Sequence, residues 1–385
     1  MDFLKRAKEL KEETIENRRF FHKNAEYGLD MPKACEYVSK KLSEYGIEPV
    51  PCGKGVSAIL GKGEPVLLLR ADMDALPMSE ESGESFSSCT NAAHACGHDC
   101  HAAMLLTAAK MLKECESELN GTVKLMFQPA EETFEGSKNM IENGILKNPD
   151  VDMALAFHVA PGKLLPGSYM YNSGKVMMSS VDMFRIEIKG KGGHGAYPNL
   201  TVDPLRIAVE IYSGFQSLIA REANPERTNV LTIGKLCGGS AANIIPDTAV
   251  MEGTLRTDDK AERELLTRRI REIAENTAKT YGGTAKVISL SDVPPLVCNE
   301  VVTEKVAGYL KELNLNGIPS MKANASEDFA VIAEKVPSAF VYISAGFEDE
   351  RGNFSAHNPK VRFNEDALSI GSAGLAHCAV RLLQK

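Results

Sequence analysis

The sequence feature that most restricts the fold is a series of short apolar runs separated by helical segments. The runs "VLLLR", "TVKLMFQ" and "VDMALAF" lack the polar alternation of a half-exposed strand, which is typical of strands buried on both faces. Amphipathic or Ala- and Leu-rich segments lie between them, among them "MPKACEYVSKKLSEYG" and "HAAMLLTAAKMLKECESELNG". This alternation predicts an α/β fold with a mostly parallel sheet and helices on both faces.

The pattern changes near residue 178. Over roughly residues 180–290 the order is β-α-β-β-α-β, which is the order of a ferredoxin-like unit. The α/β pattern resumes with "SAFVYISAG" and a final helix at "ALSIGSAGLAHCAVRLLQ". We therefore predict one discontinuous α/β domain over residues 1–178 and 291–385, interrupted by an inserted α+β domain over residues 179–290.

Charge and composition argue against several classes of partner. The formal net charge is −8 and no stretch concentrates Lys and Arg, so we expect no nucleic-acid partner. No apolar run approaches the ~20 residues that span a bilayer, and the charged N-terminus lacks a signal-peptide pattern. Nine scattered cysteines predict reduced thiols, so we expect a cytoplasmic protein without a membrane partner.

Ligand-type side chains follow the predicted strands. In a parallel sheet the carboxyl ends of the strands share one edge, where sites form. We expect five such side chains at this edge: Asp72, Asp74, Glu131, Glu132 and His158. A C-terminal loop adds a sixth, His357.

The segment "HACGHDCH", residues 94–101, has the character of a metal site. Cys96 and Cys100 are four residues apart, which is not the spacing of a redox C-x-x-C pair. Gly97 allows a tight turn, so that Cys96 and His98 can face one centre. The alternative is a polar turn with a buried structural cysteine, but the neighbouring strand-end carboxylates and histidines favour a metal.

The adjacent acids Glu131 and Glu132 follow an apolar strand and Pro129, where two buried unpaired carboxylates would be costly. A cation would relieve that cost. Because adjacent side chains do not readily point the same way, we expect one to bind metal and the other to act as a base. Metal-assisted hydrolysis requires both roles.

Eight motifs in order resemble a known family over nearly the whole chain. They are "RADMDALP", "HACGHDCHAAM", "QPAEE", "AFHV", "GKGGHGAYP", "ANIIPDTAVMEGTLR", "ASEDFA" and "AHNP", preceded by "RRFFHKNAEYG". The sequence resembles the amidohydrolase branch of the dinuclear metallocarboxypeptidase and aminoacylase superfamily. That branch includes hippurate hydrolases, N-acyl-amino-acid amidohydrolases and auxin–amino-acid conjugate hydrolases.

The resemblance implies two divalent metal ions per subunit. Cys96 corresponds to the ligand that bridges them, in a place where other branches use an aspartate. The remaining ligands that the resemblance implies are His98, Glu132, His158 and His357. Imidazole, carboxylate and thiolate donors suit zinc, manganese, cobalt or nickel, and we expect zinc or manganese.

The resemblance also implies roles for residues around the metals. Glu131 corresponds to the general base, and His194 in the inserted domain corresponds to a histidine that stabilises the oxyanion, often from the partner subunit of a dimer. Asn243 and Arg256 correspond to residues that contact the substrate carboxylate. Asp74 corresponds to an aspartate that orients a metal ligand.

The sequence departs from the wider pattern at a few positions. Asp72 replaces a histidine ligand of the wider superfamily, a change that the amidohydrolase branch shares. Asn199 stands where the branch often has a histidine. His22, His94 and His377 are expected to be structural or on the surface, and His101 to support the metal loop without ligating. These four histidines and Asn199 carry no predicted catalytic role.

We expect the discontinuous α/β domain to be the catalytic metallohydrolase domain and the inserted domain to be a lid or dimerisation domain. The expected activity is hydrolysis of N-acyl amino acids to a carboxylate and a free amino acid, by a homodimer or higher oligomer assembled through the inserted domain. One alternative is a carboxypeptidase or dipeptidase that acts on free peptides with the same metal site. The other is a non-catalytic metal- or ligand-binding protein on the same scaffold, which would have no need of the free base Glu131.

Overall fold

The structure, a computed structural model, describes residues 1–384. Over that range the α-helices are α1 Phe3–Glu9, α2 Lys11–Lys23, α3 Pro32–Glu44, α4 His98–Glu114, α5 Gly136–Glu142, α6 Pro204–Arg221, α7 Lys260–Thr280, α8 Glu300–Glu312, α9 Ala330–Ala333 and α10 Asp366–Leu383. The strands are β1 Val50–Cys52, β2 Gly55–Gly61, β3 Val66–Asp72, β4 Thr122–Gln128, β5 Met153–Ala160, β6 Ser168–Met170, β7 Val176–Met178, β8 Val181–Lys189, β9 Gly193–His194, β10 Asn229–Gly238, β11 Ile244–Ile245, β12 Thr248–Thr257, β13 Thr284–Val293, β14 Leu296–Val297, β15 Asn316–Ile318 and β16 Ser338–Ser344.

The chain divides into two compact units. Unit 1 comprises Met1–Met177, Val297–Lys322 and the residues from Asp328, and unit 2 comprises Met178–Leu296 and Ala323–Glu327. The five residues of this last segment cluster with unit 2, although their sequence pattern placed them in the α/β domain. The assignment of the units as a catalytic domain and a lid or dimerisation domain stays a prediction.

Unit 1 contains an eight-stranded sheet with the order β1-β2-β4-β3-β5-β16-β6-β15. Its four central strands, β4, β3, β5 and β16, run parallel to one another. Antiparallel pairings bring in β1 and β2 on one side and β6 on the other. The prediction of an α/β fold with a mostly parallel central sheet is confirmed.

Burial explains why the central strands read as continuous apolar runs. Every residue of β3, β4 and β16 is buried, and β5 is buried except at its two ends. Helix α4 packs against β3, β5, α2 and α10, and nearly all of its side chains are buried as well. The apolar surface that this layer removes from water stabilises unit 1 by ~25 cal/mol per Å².

Unit 2 contains an antiparallel sheet with the order β10-β12-β8-β13. Helices α6 and α7 pack on it, and buried apolar residues from both helices and from β8 and β12 form its core. With the chain order β8-α6-β10-β12-α7-β13, this is the ferredoxin-like arrangement that the sequence predicts. Asp203 and Asp259 cap α6 and α7 by accepting backbone N–H groups of the first turn.

Among residues 1–384, every helix is too short or too polar to cross a lipid bilayer.

Candidate metal centre

The parallel strands of unit 1 bring acidic and histidine side chains to one edge of the sheet. β3 ends at Asp72, with Asp74 two residues beyond, and β4 ends at Gln128, shortly before Glu131. His158 lies on β5, which pairs in parallel with β3. Because the carboxyl ends of parallel strands meet at one edge, these segments converge there.

A glycine turn places Cys96 just before the first residue of α4. Gly97 caps α4 with φ +94°, and a Cβ at this position would lie 2.4 Å from Val159 Cγ2. The turn therefore depends on glycine for both its backbone angle and its close packing. The backbone N–H of His357 donates to the Ala95 carbonyl over 2.8 Å, which attaches the C-terminal loop to this turn.

Two groups of ligand atoms share the Cys96 thiol. One group consists of Cys96, His98 and His158, and the other of Cys96, Glu132 and His357. Within each group the ligand atoms lie within 4.8 Å of one another, and Cys96 Sγ is 3.5 Å from His158 Nε2. The structure thus brings together the five side chains that the resemblance implies as ligands. Cys96 is the one member that these two groups have in common.

Unpartnered buried atoms show that these residues fit a metal pair. His98 Nε2 and Glu132 Oε1 are buried without a well-formed hydrogen bond, and Glu132 Oε1 lies 3.4 Å from His357 Nε2 of the same ligand group. Asp74 contacts both residues at other atoms. Its Oδ1 lies 3.2 Å from His98 Nδ1, and its Oδ2 accepts the Glu132 backbone N–H over 2.9 Å. His158 Nδ1 donates to the Val159 carbonyl over 2.8 Å, which leaves Nε2 facing the shared thiol. Coordination to cations would satisfy the atoms that the protein leaves unpaired.

The protonation states of two predicted ligands bear on how they would bind a cation. Burial raises the pKa of the Cys96 thiol to about 12. Burial and the nearby His101 lower the pKa of His158 well below its ordinary value, so this imidazole is neutral near pH 7. A neutral imidazole can ligate directly, whereas the thiol loses its proton only when a cation stabilises the thiolate.

Asp72, His98 and His101 form a further group of ligand-type atoms, but Asp72 and His101 are bonded to each other. His101 Nδ1 lies 2.5 Å from Asp72 Oδ1, and Arg70 Nη1 donates to Asp72 Oδ2 over 2.7 Å. The Val159 backbone N–H donates to His101 Nε2 over 2.8 Å, so both nitrogens of this ring are engaged. Although Asp72 and His101 also lie within 4.8 Å of a ligand nitrogen of His98, these bonds leave His101 no lone pair for a cation.

Glu131 lies beside the two groups that share Cys96 without belonging to either. Its side chain is buried, its Oε1 accepts the Asp328 backbone N–H over 3.3 Å, and its Oε2 is 3.9 Å from His98 Nε2. Ala130 precedes it with φ +53°, a left-handed conformation that is uncommon for a non-glycine residue. The adjacent carboxylates of Glu131 and Glu132 therefore have different surroundings, and only Glu132 joins Cys96 in a ligand group.

Unit 2 brings His194 and Asn243 together. His194 lies on β9, which pairs with β11, and its ring is exposed. His194 Nδ1 accepts the backbone N–H of Ala196 over 3.0 Å. The Asn243 carbonyl accepts the Gly195 N–H over 2.9 Å, so the two predicted site residues lie on adjacent turns.

Arg256 lies on β12 and is held by neutral groups. Its Nη1 donates to Ser326 Oγ over 2.8 Å and to the Asn324 carbonyl over 3.3 Å. Partial burial lowers the pKa of Arg256, and no carboxylate among residues 1–384 counters that shift. A cation in this state is suited to bind a carboxylate ligand. Sequence patterns alone miss Ser326, whose one signal is its place in the motif "ASEDFA".

A buried charged group on α2 also escapes sequence reasoning. Arg18 and His22 both contact Asp99, in the first turn of α4. His22 belongs to no ligand group among the described residues, but its partner Asp99 lies beside a predicted metal ligand. The signal for this group is the motif "RRFFHKNAEYG", to which sequence patterns assign no role.

Comparisons with known proteins agree with this geometry. The chain is 36% identical over 379 residues to the N-acetyl-L-cysteine deacetylase of Bacillus subtilis (strain 168), covering 97% of this chain and 89% of the relative. It is 36% identical over 383 residues to the IAA-amino acid hydrolase ILR1-like 2 of Arabidopsis thaliana, covering 96% and 85%. Both alignments include the two units.

A solved structure has the same fold. The crystal structure of a Bacillus subtilis protein described as a dinuclear metal binding peptidase superposes with a TM-score of 0.82 at 31% identity, covering 98% of this chain and 99% of that one. The family model of peptidase family M20/M25/M40 matches residues 68–381, which include every predicted ligand and the base. The chain therefore belongs to peptidase family M20/M25/M40.

Proposed function

We propose that this enzyme hydrolyses the amide bond of N-acyl amino acids, releasing a carboxylate and a free amino acid. The observation that carries the proposal is the pair of ligand groups that share Cys96, with the carboxylate of Glu131 beside them. Membership of a hydrolase family and relatives named as a deacetylase and an amino acid hydrolase support it.

The protein would hold two divalent cations, with zinc or manganese as the proposed identities. Cys96, His98 and His158 would hold one, and Cys96, Glu132 and His357 the other, while Asp74 orients both groups. When bound, the cations would supply Lewis acidity to the amide carbonyl and lower the pKa of a water molecule.

Glu131 would manage the proton in this reaction. Its carboxylate takes a proton from the attacking water as the new C–O bond forms, and gives it to the amine nitrogen as the C–N bond breaks. The Asp328 N–H holds one oxygen of this carboxylate over 3.3 Å, which orients the side chain beside the ligand groups. The products are a carboxylate and an amino group, and no proton or electron is left over.

Residues of unit 2 would recognise the rest of the substrate. The exposed His194 would donate to the carbonyl oxygen that becomes negative during the reaction, and Arg256 with Asn243 would bind the carboxylate of the amino acid.

We further propose a homodimer or higher oligomer through unit 2, with His194 serving its own or the partner's site. Light scattering of the purified protein tests this assembly, and a monomer at working concentration would contradict it.

A substrate panel separates this function from peptidase activity. The panel contains N-acetyl-L-cysteine, hippurate, other N-acyl amino acids, an auxin–amino-acid conjugate and free dipeptides. We expect at least one acylated substrate to be cleaved at least about 100-fold more efficiently than the dipeptides, because the charged N-terminal amine of a dipeptide is costly to bury. Primary amides of the best substrate should lose about 10–100-fold in kcat/KM, since the Arg256 contact is lost. The measurement is product release by chromatography from metal-reconstituted enzyme.

Faster cleavage of dipeptides than of every acyl amino acid would instead assign a carboxypeptidase or dipeptidase. Stable metal binding without hydrolysis of any member of the panel would favour a binding protein.

A further inference from the structure

Helix α2 presents two cationic side chains to the start of α4. Arg18 is 2% exposed, and its Nε donates to Asp99 Oδ2 over 2.9 Å. His22 Nδ1 donates to the same oxygen over 2.8 Å. Because Asp99 directly follows the ligand His98, these bonds hold the first turn of the ligand-bearing helix from outside the metal centre.

The same guanidinium reaches the segment that follows His357. Arg18 Nη1 donates to the Phe363 carbonyl over 3.3 Å and lies 3.2 Å from Glu365 Oε1. The Phe363 ring borders the glycine turn, since a Cβ on Gly97 would lie 3.0 Å from its Cε1. Arg18 therefore ties the segment that carries Cys96 and His98 to the segment that carries His357.

His22 is clamped between two carboxylates. Its Nε2 lies 3.0 Å from Glu80 Oε1, and Glu80 Oε2 accepts the Ser88 backbone N–H over 2.7 Å. Burial opposes protonation of this ring, but its bonds to Asp99 and Glu80 raise the pKa of His22 to about 9. The ring is therefore charged near pH 7 and donates from both nitrogens.

Stability alone does not account for this arrangement. Buried ion pairs are often matched or exceeded in stability by apolar residues of similar volume, because of the desolvation cost of the charges. A planar guanidinium, however, fixes its acceptors in a defined geometry that an apolar side chain cannot reproduce. The two acceptor segments here are the ones that carry ligands to both metal groups.

We propose that Arg18 and His22 are positioning residues that set the spacing between the Cys96–His98 turn and His357, and through it the affinity of the centre for its second cation. The inference rests on the proposed metal pair. Removing the bonds of Arg18 or His22 should leave the cation affinity of the Cys96, His98 and His158 group unchanged, because the sheet and α4 hold that group. It should lower the cation affinity of the group that includes His357.

The test is cobalt binding by the metal-free protein. Co²⁺ is titrated into wild type, Arg18→Met, Arg18→Lys and the matched control Arg19→Met, and is followed by thiolate-to-cobalt absorbance and elemental analysis. Arg19 is on the same helix and also pairs with Glu365, at 2.7 Å, but it makes no contact with Asp99. We expect Arg18→Met to weaken binding of the second equivalent by about 10–100-fold, as loss of a residue behind a ligand does.

In the same titration Arg18→Lys should recover part of the affinity, and Arg19→Met should match wild type. If folded Arg18→Met, checked by circular dichroism, binds both equivalents as wild type does, the proposal is wrong while the metal centre stands. If Arg18→Met fails to fold, His22→Gln decides: weaker second binding supports the proposal, and unchanged binding overturns it. A wild type that binds no cobalt would overturn the metal centre and this inference together.

Discussion

Glu131→Gln is expected to keep its metal and lose about 10²–10⁴-fold in kcat, which is the usual contribution of a general acid or base. The substitution preserves the volume of the side chain and leaves an oxygen for the Asp328 N–H, which now contacts Oε1 at 3.3 Å. The amide cannot accept the water proton, so both proton transfers slow. Turnover of the best acyl amino acid and metal content of the same sample measure the two effects.

Glu135→Gln is the matched control for this result. Glu135 is exposed four residues further along the same loop, where it accepts a bond from Thr133, and it belongs to neither ligand group. We expect its kcat to match wild type within about twofold, as for surface changes away from a site. Near-normal turnover by Glu131→Gln would remove the proton-transfer role from this residue.

Cys96→Ser is expected to lose most of its bound metal and, with it, its activity. A serine hydroxyl stays protonated where a thiol beside a cation ionises, so both ligand groups lose their shared anion. Cys96→Asp should recover part of the binding, because a carboxylate can bridge two cations. Elemental analysis after dialysis against a weak chelator measures the metal, and kcat of the same samples measures the activity.

The control is Cys89→Ser, since Cys89 is exposed and outside every ligand group. It should keep both the metal and the activity of wild type. Unchanged metal content in Cys96→Ser would show that the thiol is not a ligand.

Much of the fold can be predicted from the sequence, because the local pattern of apolar residues agrees with their burial in the structure. The run that forms β3 has no polar alternation, and every residue of the strand is buried. Pro204 and Asp203 mark the start of α6 by local chemistry alone, and the structure begins that helix at Pro204. The convergence of Cys96, His98 and His158 follows from strand order, once the sheet is taken as parallel.

Other features depend on contacts that no local pattern records. His101 is expected from its place in the sequence to support the metal loop without ligating, but its partners, Asp72 and the backbone of Val159, lie 29 and 58 residues away and no local pattern identifies them. The N-terminal segment "MDFLKRAKELKEETIENRRFFH" is helical in period throughout, but the structure ends α1 at Glu9 and starts α2 at Lys11. The role of Arg18 depends on partners 81 and 345 residues away, which the motif around it cannot indicate.

The most direct test of the metal pair is a crystal structure of the metal-loaded enzyme with anomalous data at the absorption edge of the metal. We expect two anomalous peaks about 3.5–4 Å apart. One peak should lie about 2.0–2.3 Å from His98 Nε2 and His158 Nε2. The other should lie at the same distance from Glu132 and His357, and Cys96 Sγ should lie between the two peaks. A single peak, or peaks away from these five side chains, would contradict the account.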